Sequence, residues 1–328
     1  MNDDTTPFAS LSPDLVLDAV ESVGLVTDGR QLALNSYENR VYQVGLDEAP
    51  PVIVKFYRPG RWSDGAILEE HSFSLELQEA EISVVAPMVN DQGNTLHTYK
   101  GFQFALFVRR GGYPPELDNL DNLLVLGRTL GRIHAVGRAG KFKERPSISM
   151  KKMLSDSREY LLEGFIPREL IPAYESLTRD LEQLVASIYG EVPSEDLIRI
   201  HGDCHVGNIL WRDETAHFVD FDDCCSAPAI QDLWMFLNGE RHDRQLQLSE
   251  LVEGYSEFCD FEPRQIRWIE SLRTMRLINY AAWLARRWED PAFPRSFTWF
   301  NTERYWADHI LELREQMSAL QEEPLQLL

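Results

Sequence analysis

The chain has 328 residues, 44% of them hydrophobic, and a formal net charge of −21. This length allows two lobes with a sizeable core, and the negative charge argues against nonspecific nucleic-acid binding, which needs a basic surface. No apolar run reaches the roughly eighteen residues of a membrane span, and the polar first seven residues do not resemble a signal peptide. The 4 cysteines do not form a disulfide framework, which favours a reducing cytoplasm.

The N-terminal third of the chain predicts a small antiparallel sheet with two helices. The helices are predicted over 12–24 and 64–80. Alternating apolar residues predict two strands within 32–44 and further strands at 51–57, 84–89, 94–98 and 102–108. The glycine- and proline-rich segment 111–115 breaks this pattern and predicts a boundary between lobes of residues 1–110 and 111–328.

The remainder of the chain is mostly helical by its apolar periodicity. Helices are predicted over 119–136, 150–163, 167–189, 229–238, 243–259, 263–288 and 302–320. A small antiparallel sheet followed by a larger helical lobe is an α+β, bilobal layout. In such a layout a ligand commonly lies in the cleft between the lobes.

The strongest chemical signal lies at His201-Gly202-Asp203 and the residues that follow. Asp203 precedes Asn208 by five residues, and Asp220 follows beyond an apolar hairpin. Phosphoryl transfer needs a carboxylate to orient and deprotonate the attacking hydroxyl, and oxygen ligands to hold Mg²⁺ against the phosphates. The spacing therefore predicts that one of Asp203 and Asp220 accepts the proton and that the other, together with Asn208, holds the metal. The alternative is a polar loop in which these residues only form turns.

The nucleotide site needs a lysine on the third strand and a glutamate on the following helix. Lys55, at the end of an apolar β-branched run, fits the strand position and would hold the α- and β-phosphates. Its alternative role is to extend into water from the strand end. Glu70 is favoured as its partner because Leu75 and Leu77 would anchor the same helix, and the adjacent Glu69 remains the alternative.

Other polar residues are assigned to the loops around this site. No glycine-rich G-x-G-x-x-G loop occurs, and the polar turn 35–40 stands in its place. Its Ser36 hydroxyl and backbone amides are predicted to contact phosphate, the alternative being an ordinary hairpin turn. His201 is predicted to hold the loop rather than act in catalysis, and Asp232 to tie the loop down. Asp222 and Asp223 are predicted to cap or hold their loop, the alternative being metal ligation, and backbone groups near 107–109 are predicted to read adenine.

These motifs carry a resemblance to a known family. The pattern His201-Gly202-Asp203 to Asn208, with Asp220-Phe221-Asp222, resembles the aminoglycoside-phosphotransferase and choline-kinase superfamily of protein-kinase-like folds. Further segments extend the likeness over nearly the full length to the bacterial stress response kinase A group, at 34–43, 54–59, 68–71, 231–235, 283–288 and 290–294.

The resemblance implies a cytoplasmic, monomeric, non-specific serine/threonine protein kinase that uses ATP and Mg²⁺, autophosphorylates and acts in stress response. It implies that Asp203 accepts the proton, that Asn208 and Asp220 bind Mg²⁺, that Asp220 is also an active-site residue, and that Ser36 contacts ATP. The implied partners are ATP and a protein hydroxyl, without nucleic acid or membrane. One alternative is a kinase for small hydroxyl compounds such as aminoglycosides, choline, homoserine or sugars. The other is an inactive nucleotide-binding scaffold, which the intact catalytic set disfavours.

Overall fold

The computed structural model describes residues 6–190 and 192–328 and places a five-stranded antiparallel sheet in the N-terminal third. The elements are α1 (Pro13–Glu21), β1 (Thr27–Ala33), β2 (Arg40–Leu46), β3 (Ala49–Phe56), α2 (Asp64–Glu79), β4 (His97–Tyr99) and β5 (Phe102–Val108). The strand order is β1-β2-β3-β5-β4. The predicted start of α1 is confirmed, because the Ser12 hydroxyl accepts a hydrogen bond from Leu15 N at 3.2 Å.

The prediction of a strand at 84–89 is wrong. Val84 forms only an isolated bridge with Phe218, and Pro87 forms one with Phe107. Pro87 has no amide proton to give to a sheet, so a continuous ladder cannot pass through it. The segment instead lies between β5 and the helical lobe. The strand predicted at 94–98 is also shorter and later, at His97–Tyr99.

The rest of the chain forms a larger, mainly helical lobe. Its first helices are α3 (Leu120–Arg138), α4 (Asp156–Gly164), which extends a π-helical turn over Lys151–Ser155, and α5 (Ile171–Tyr189). The short strands are β6 (Ile198–Ile200), β7 (Ile209–Arg212), β8 (Thr215–Phe218) and β9 (Cys225–Ala227). The last helices are α6 (Ile230–Trp234), α7 (Arg241–Ser256), α8 (Ile269–Arg286), α9 (Ala292–Ser296) and α10 (Glu303–Ala319). The predicted α+β layout is thus confirmed, although α9 and the β6–β9 pair were not predicted.

The hairpin formed by β7 and β8 lies at the junction of the two lobes. Tyr113, in the segment predicted as a linker, exchanges backbone hydrogen bonds with Trp211 of β7 at 3.2 and 2.7 Å. On the other strand, Val85 N donates to Phe218 O at 3.0 Å. The segment between the lobes and the segment between α2 and β4 therefore both hold the hairpin that leads to Asp220.

Two large hydrophobic clusters stabilise the fold. One lies within the sheet and includes residues of α1, and the other fills the helical lobe. All four cysteines are buried free thiols. In the described ranges 6–190 and 192–328, no helix is both long enough and apolar enough to cross a bilayer.

Candidate active site

The loop between β6 and β7 is fixed by a buried carboxylate. Asp232 of α6 accepts hydrogen bonds from His201 N at 2.8 Å and Gly202 N at 2.9 Å. Its side chain also contacts His134 Nε2 at 3.1 Å. Gly202 has a φ of +86°, a conformation that L side chains rarely adopt, so glycine suits this turn. The predicted role of Asp232 in holding the loop is confirmed by these contacts.

His201 also has the structural role predicted for it. The ring is fully buried, its Nε2 lies 2.9 Å from Val219 O, and its centroid lies 4.6 Å from that of Phe221. This contact ties the start of the loop to the residue before Asp220.

Asp203 lies in this loop with its side chain 26% exposed. Its Oδ1 is 2.8 Å from Arg276 Nη2 of α8, and its Oδ2 is 3.5 Å from His205 Nε2. Burial opposes the charge, but the hydrogen bond from His205 and the Arg276 guanidinium hold the pKa of Asp203 well below its usual range. The carboxylate is therefore ionised at neutral pH and can accept a hydrogen bond from an acceptor hydroxyl.

Asn208 and Asp220 are brought together at the ends of the hairpin. Asn208 Nδ2 donates to Asp203 O at 2.9 Å, and Val219 N donates to Asn208 O at 3.0 Å. Because its amide nitrogen is engaged within the loop, Asn208 offers its side-chain oxygen to a ligand. Asp220 has a φ of 60°, and its carboxylate is 53% exposed. One amide oxygen and one accessible carboxylate fit Mg²⁺, which prefers hard oxygen ligands and takes only one or two carboxylates from the protein.

Lys55 lies at the centre of a buried ion cluster. Its Nζ is 3.3 Å from Glu70 Oε1, 3.0 Å from Asp220 Oδ1 and 3.1 Å from Asp222 Oδ1. Burial disfavours the ammonium ion, but the three carboxylates raise the pKa of Lys55 well above its ordinary value. Lys55 therefore remains charged and lies directly beside the predicted metal ligand Asp220.

Glu70, rather than Glu69, is the partner of Lys55 in this structure. Glu69 instead accepts hydrogen bonds from the backbone N–H groups of three consecutive residues at 2.7 to 2.9 Å, Lys143, Glu144 and Arg145. Burial and the negative charge of Asp222 raise the pKa of Glu70, whereas the positive charges of Lys55 and Arg145 lower it. The net result is a pKa raised to about 7. The two adjacent carboxylates thus have separate tasks, one in the ion cluster and one in docking α2 to the helical lobe.

Two arginines that the sequence did not single out hold the run after Asp220. Arg61 forms ion pairs with Asp222 and, at 2.5 Å, with Asp223 Oδ1. Arg145 Nη2 donates to Phe221 O at 3.1 Å and to Asp222 O at 2.6 Å. Asp222 is therefore a loop-holding residue, as predicted.

Ser36 closes the turn between β1 and β2. Its Oγ accepts a hydrogen bond from Val41 N at 3.1 Å and donates to Leu34 O at 3.4 Å. The hydroxyl is thus used within the hairpin here, and its contact with phosphate stays a prediction.

A cavity of about 450 Å³ opens beside Asp203 between the lobes. Its walls combine aromatic rings with cationic side chains. The aromatic residues are Tyr37, Trp62, Tyr280, Trp283 and Phe297, and the cationic ones are Arg61, Lys152 and Arg276. A hydroxyl compound in this cavity would meet the carboxylate of Asp203.

Comparison with known proteins agrees with this geometry. A profile of the phosphotransferase enzyme family matches residues 30–269. Stress response kinase A of Escherichia coli (strain K12) is 44% identical over 328 residues, which cover 100% of this chain and 99% of that protein. Serine/threonine protein kinase RdoA of Salmonella typhimurium (strain LT2) is 43% identical over 328 residues, with the same coverage.

A solved structure shares the fold at much lower identity. Amicoumacin kinase hAmiN, in complex with AMP-PNP, Ca²⁺ and Ami, superposes with a TM-score of 0.73 at 19% identity, covering 92% of this chain and 93% of that one. The sequence likeness at 44% identity and the family match over residues 30–269 place this chain in the phosphotransferase enzyme family.

Proposed function

We propose that this chain is an ATP- and Mg²⁺-dependent serine/threonine protein kinase that also phosphorylates itself. The observation that supports this most is that Asp203 lines a cavity between the lobes and is joined to Asn208 by a hydrogen bond, while Lys55 pairs with Asp220. The names of its relatives support a role in a stress response, and the proposal takes the protein to be a cytoplasmic monomer. Its two lobes then correspond to residues 1–110 and 111–328.

Each side chain has a defined task in this proposal. Asp203 aims the acceptor hydroxyl and takes its proton late, because the transition state of phosphoryl transfer is loose and carries its charge on peripheral oxygens. Lys55, positioned by Glu70, binds the α- and β-phosphates. Asn208 and Asp220 hold Mg²⁺, which would neutralise charge on the transferred group. Ser36 and its turn cover the phosphates, and backbone groups near 107–109 bind adenine.

A kinase for small hydroxyl compounds is the second candidate function. It is favoured by the aromatic walls of the cavity, which suit a compact acceptor, and by the fold shared with amicoumacin kinase hAmiN. The names of the relatives at 43 to 44% identity favour a protein acceptor instead. The same catalytic residues serve either reaction, so the acceptor has to be determined by experiment.

The test is transfer of labelled γ-phosphate from ATP with Mg²⁺ to a basic protein, to the enzyme itself and to a panel of small alcohols and aminoglycosides. We expect label on serine or threonine in the wild type and a loss of about hundredfold or more in Asp203→Asn, whose ATP affinity is largely kept. Asp213→Asn, an exposed change in the β7–β8 turn, is the matched control.

Label confined to a small compound would replace the protein acceptor with the second candidate. Undiminished transfer by purified Asp203→Asn would refute the assignment of the base. No transfer to any acceptor, despite tight ATP binding, would favour the inactive scaffold.

A further inference from the structure

The turn between β1 and β2 is fastened to the helical lobe by a buried carboxylate. We call residues 34–39 the covering loop. The Oε2 atom of Glu38 accepts a hydrogen bond from Trp283 Nε1 of α8 at 2.6 Å. Its Oε1 accepts hydrogen bonds from Arg287 Nη2 at 2.8 Å and from Arg287 Nε at 3.0 Å. Glu38 is only 9% exposed, so these charge-assisted contacts are shielded from water.

The same carboxylate is also held from the sheet side. Arg58, which follows β3, places its Nε 3.1 Å from Glu38 Oε1 and its Nη2 2.5 Å from Asp290 Oδ2. Burial opposes the charge on Glu38, but Arg61, Arg287 and Arg58 together lower its pKa below the ordinary value. Glu38 thus remains an anion that joins cations of both lobes.

An aromatic contact next to Glu38 also joins the covering loop to the helical lobe. The Tyr37 ring lies 4.7 Å from the Phe297 ring, centroid to centroid. Tyr37 and Glu38 also line the cavity that contains Asp203. Ser36, one residue earlier, makes the turn that faces the nucleotide in the proposed function. The covering loop is therefore a wall shared by the phosphate site and the acceptor cavity.

The network continues from Glu38 toward the metal side of the site. Arg61 Nε lies 3.9 Å from Glu38 Oε1, and the same guanidinium pairs with Asp222 and Asp223. Asp222 in turn contacts Lys55 at 3.1 Å. Arg61 therefore links Glu38 to the ion cluster around Lys55.

We propose that Glu38 is a positioning residue, which fastens the covering loop to α8 so that the loop encloses the phosphates and the acceptor together. The inference rests on the proposed phosphotransfer. Enclosure excludes water from the γ-phosphate, so transfer to the acceptor is favoured over hydrolysis. Loss of the fastening should then uncouple ATP use from transfer, which a purely structural role would not do.

The first variant is Glu38→Gln, which keeps the size of the side chain and removes its charge. We expect kcat/KM for transfer to fall about tenfold, the size of effect that loss of a charged hydrogen-bond partner produces. We also expect the ratio of ATP hydrolysed to phosphate transferred to rise severalfold. Amide hydrogen exchange in the covering loop should become faster.

The second variant, Arg287→Gln, removes the charge from the helical side and should shift all three readouts in the same direction. It keeps the test valid if Glu38→Gln folds poorly. Glu257→Gln is the matched control, because it removes an exposed pair with Arg128 at 2.8 Å between α3 and α7. It should leave the hydrolysis ratio and the loop exchange unchanged.

A lower melting temperature with an unchanged hydrolysis ratio in both variants would overturn the proposal. If the wild type transfers phosphate to no acceptor, the proposed function fails instead. In that case, amide hydrogen exchange in the covering loop and the Mg·ATP affinity of the same two variants test whether Glu38 fastens the loop. Equal exchange in wild type, Glu38→Gln and Arg287→Gln would refute it.

Discussion

The ion cluster around Lys55 is built from paired opposite charges at the level of single residues. Three cations, Lys55, Arg61 and Arg145, face four carboxylates, Glu70, Asp220, Asp222 and Asp223. Buried ions are tolerated only when they are paired in this way. Of the three carboxylates that contact Lys55, Asp220 is the accessible one, with 53% of its side chain exposed, so it is the one able to turn from Lys55 to a metal. Lys55 would then be released toward the phosphates.

The pairing of Asp220 with Lys55, and its exposure to a metal, predict how the loss of its charge changes Mg·ATP affinity. Asp220→Asn keeps a residue type that tolerates the positive φ and replaces the anionic metal ligand with a neutral amide. We expect Mg·ATP affinity to fall at least about tenfold, or about 1.4 kcal/mol, together with loss of transfer. Titration of a non-hydrolysable ATP analogue at several Mg²⁺ concentrations measures this. Asp203→Asn, the same chemical change at the proton acceptor, should bind nearly as the wild type does, and equal weakening in both variants would contradict the assignment.

A second prediction concerns the pH dependence of stability at His71 of α2. Both ring nitrogens are bonded, Nε2 with Tyr57 Oη at 2.8 Å and Nδ1 with Thr95 Oγ1 at 2.7 Å. Burial, with the nearby charges of Lys55 and Arg145, lowers the pKa of His71 to about 3. The unfolded chain therefore binds a proton between roughly pH 6.5 and 3 that the folded protein does not, so this group's contribution to stability is lost as pH falls.

His71→Gln should flatten this dependence. We expect the slope of unfolding free energy against pH, between pH 7 and 5, to decrease by up to about 1.4 kcal/mol per pH unit. Denaturant unfolding at a series of pH values measures it. The exposed residue His242 gives the control variant, His242→Gln. If His71→Gln left the slope of unfolding free energy against pH unchanged, other groups would be responsible for the loss of stability at acidic pH.

At the residue scale, the sequence was informative where chemistry requires fixed spacing. Asp203, Asn208 and Asp220 lie on one loop and one hairpin, so local geometry brings them together whatever the rest of the chain does. Arg276 comes from a helix far along the chain, and nothing in its sequence context distinguishes it from a surface arginine. Pairing between distant segments is set by tertiary packing, which the local pattern does not encode.

Among the elements, α3 and α7 approach through glycines. A Cβ on Gly131 would overlap the carbonyl oxygen of Tyr255, and one on Gly254 would overlap that of Leu124. Alanine at position 131 would gain about 1 kcal/mol of helix propensity, but overpacking against rigid backbone costs about 1–3 kcal/mol. The close approach therefore outweighs propensity.

Because the overlapped atom belongs to the backbone, we take the upper end of this cost and expect Gly131→Ala to lower the free energy of unfolding by about 2 kcal/mol. Gly164→Ala is the control, because a Cβ at the end of α4 meets no atom within 4 Å. Chemical denaturation of both variants measures the difference. Equal stability of Gly131→Ala and the wild type would mean that the two helices can separate without loss.

The elements that the sequence predicted well are those with strong local signals. Ser12 and Pro13 define the start of α1, and the apolar periodicity of α3 places it within two residues of its observed ends. The segment 84–89 has strand-like residues but takes its partners from both lobes. Its tertiary contacts therefore outweigh its local sequence pattern, and the segment does not form a strand.

At the scale of the whole molecule, the net charge of −21 and the local cavity act over different distances. The cavity beside Asp203 combines three cations, Arg61, Lys152 and Arg276, with three carboxylates, Glu38, Asp203 and Asp223, whereas the long-range field of the chain is negative. A field of this sign attracts basic acceptors before any contact forms. Its reach is set by salt, because the Debye length falls from about 30 Å at 0.01 M to about 8 Å at 0.15 M.

We therefore expect kcat/KM for a lysine-rich seryl peptide to fall about tenfold over this range of salt. The same peptide with glutamine in place of lysine should show little change, and an acidic version should react faster as salt rises. Steady-state kinetics on the three peptides at matched Mg²⁺ separate steering from local recognition. A fall of the same size for all three would mean that salt acts on the enzyme itself, and the negative field would then have no part in selecting the acceptor.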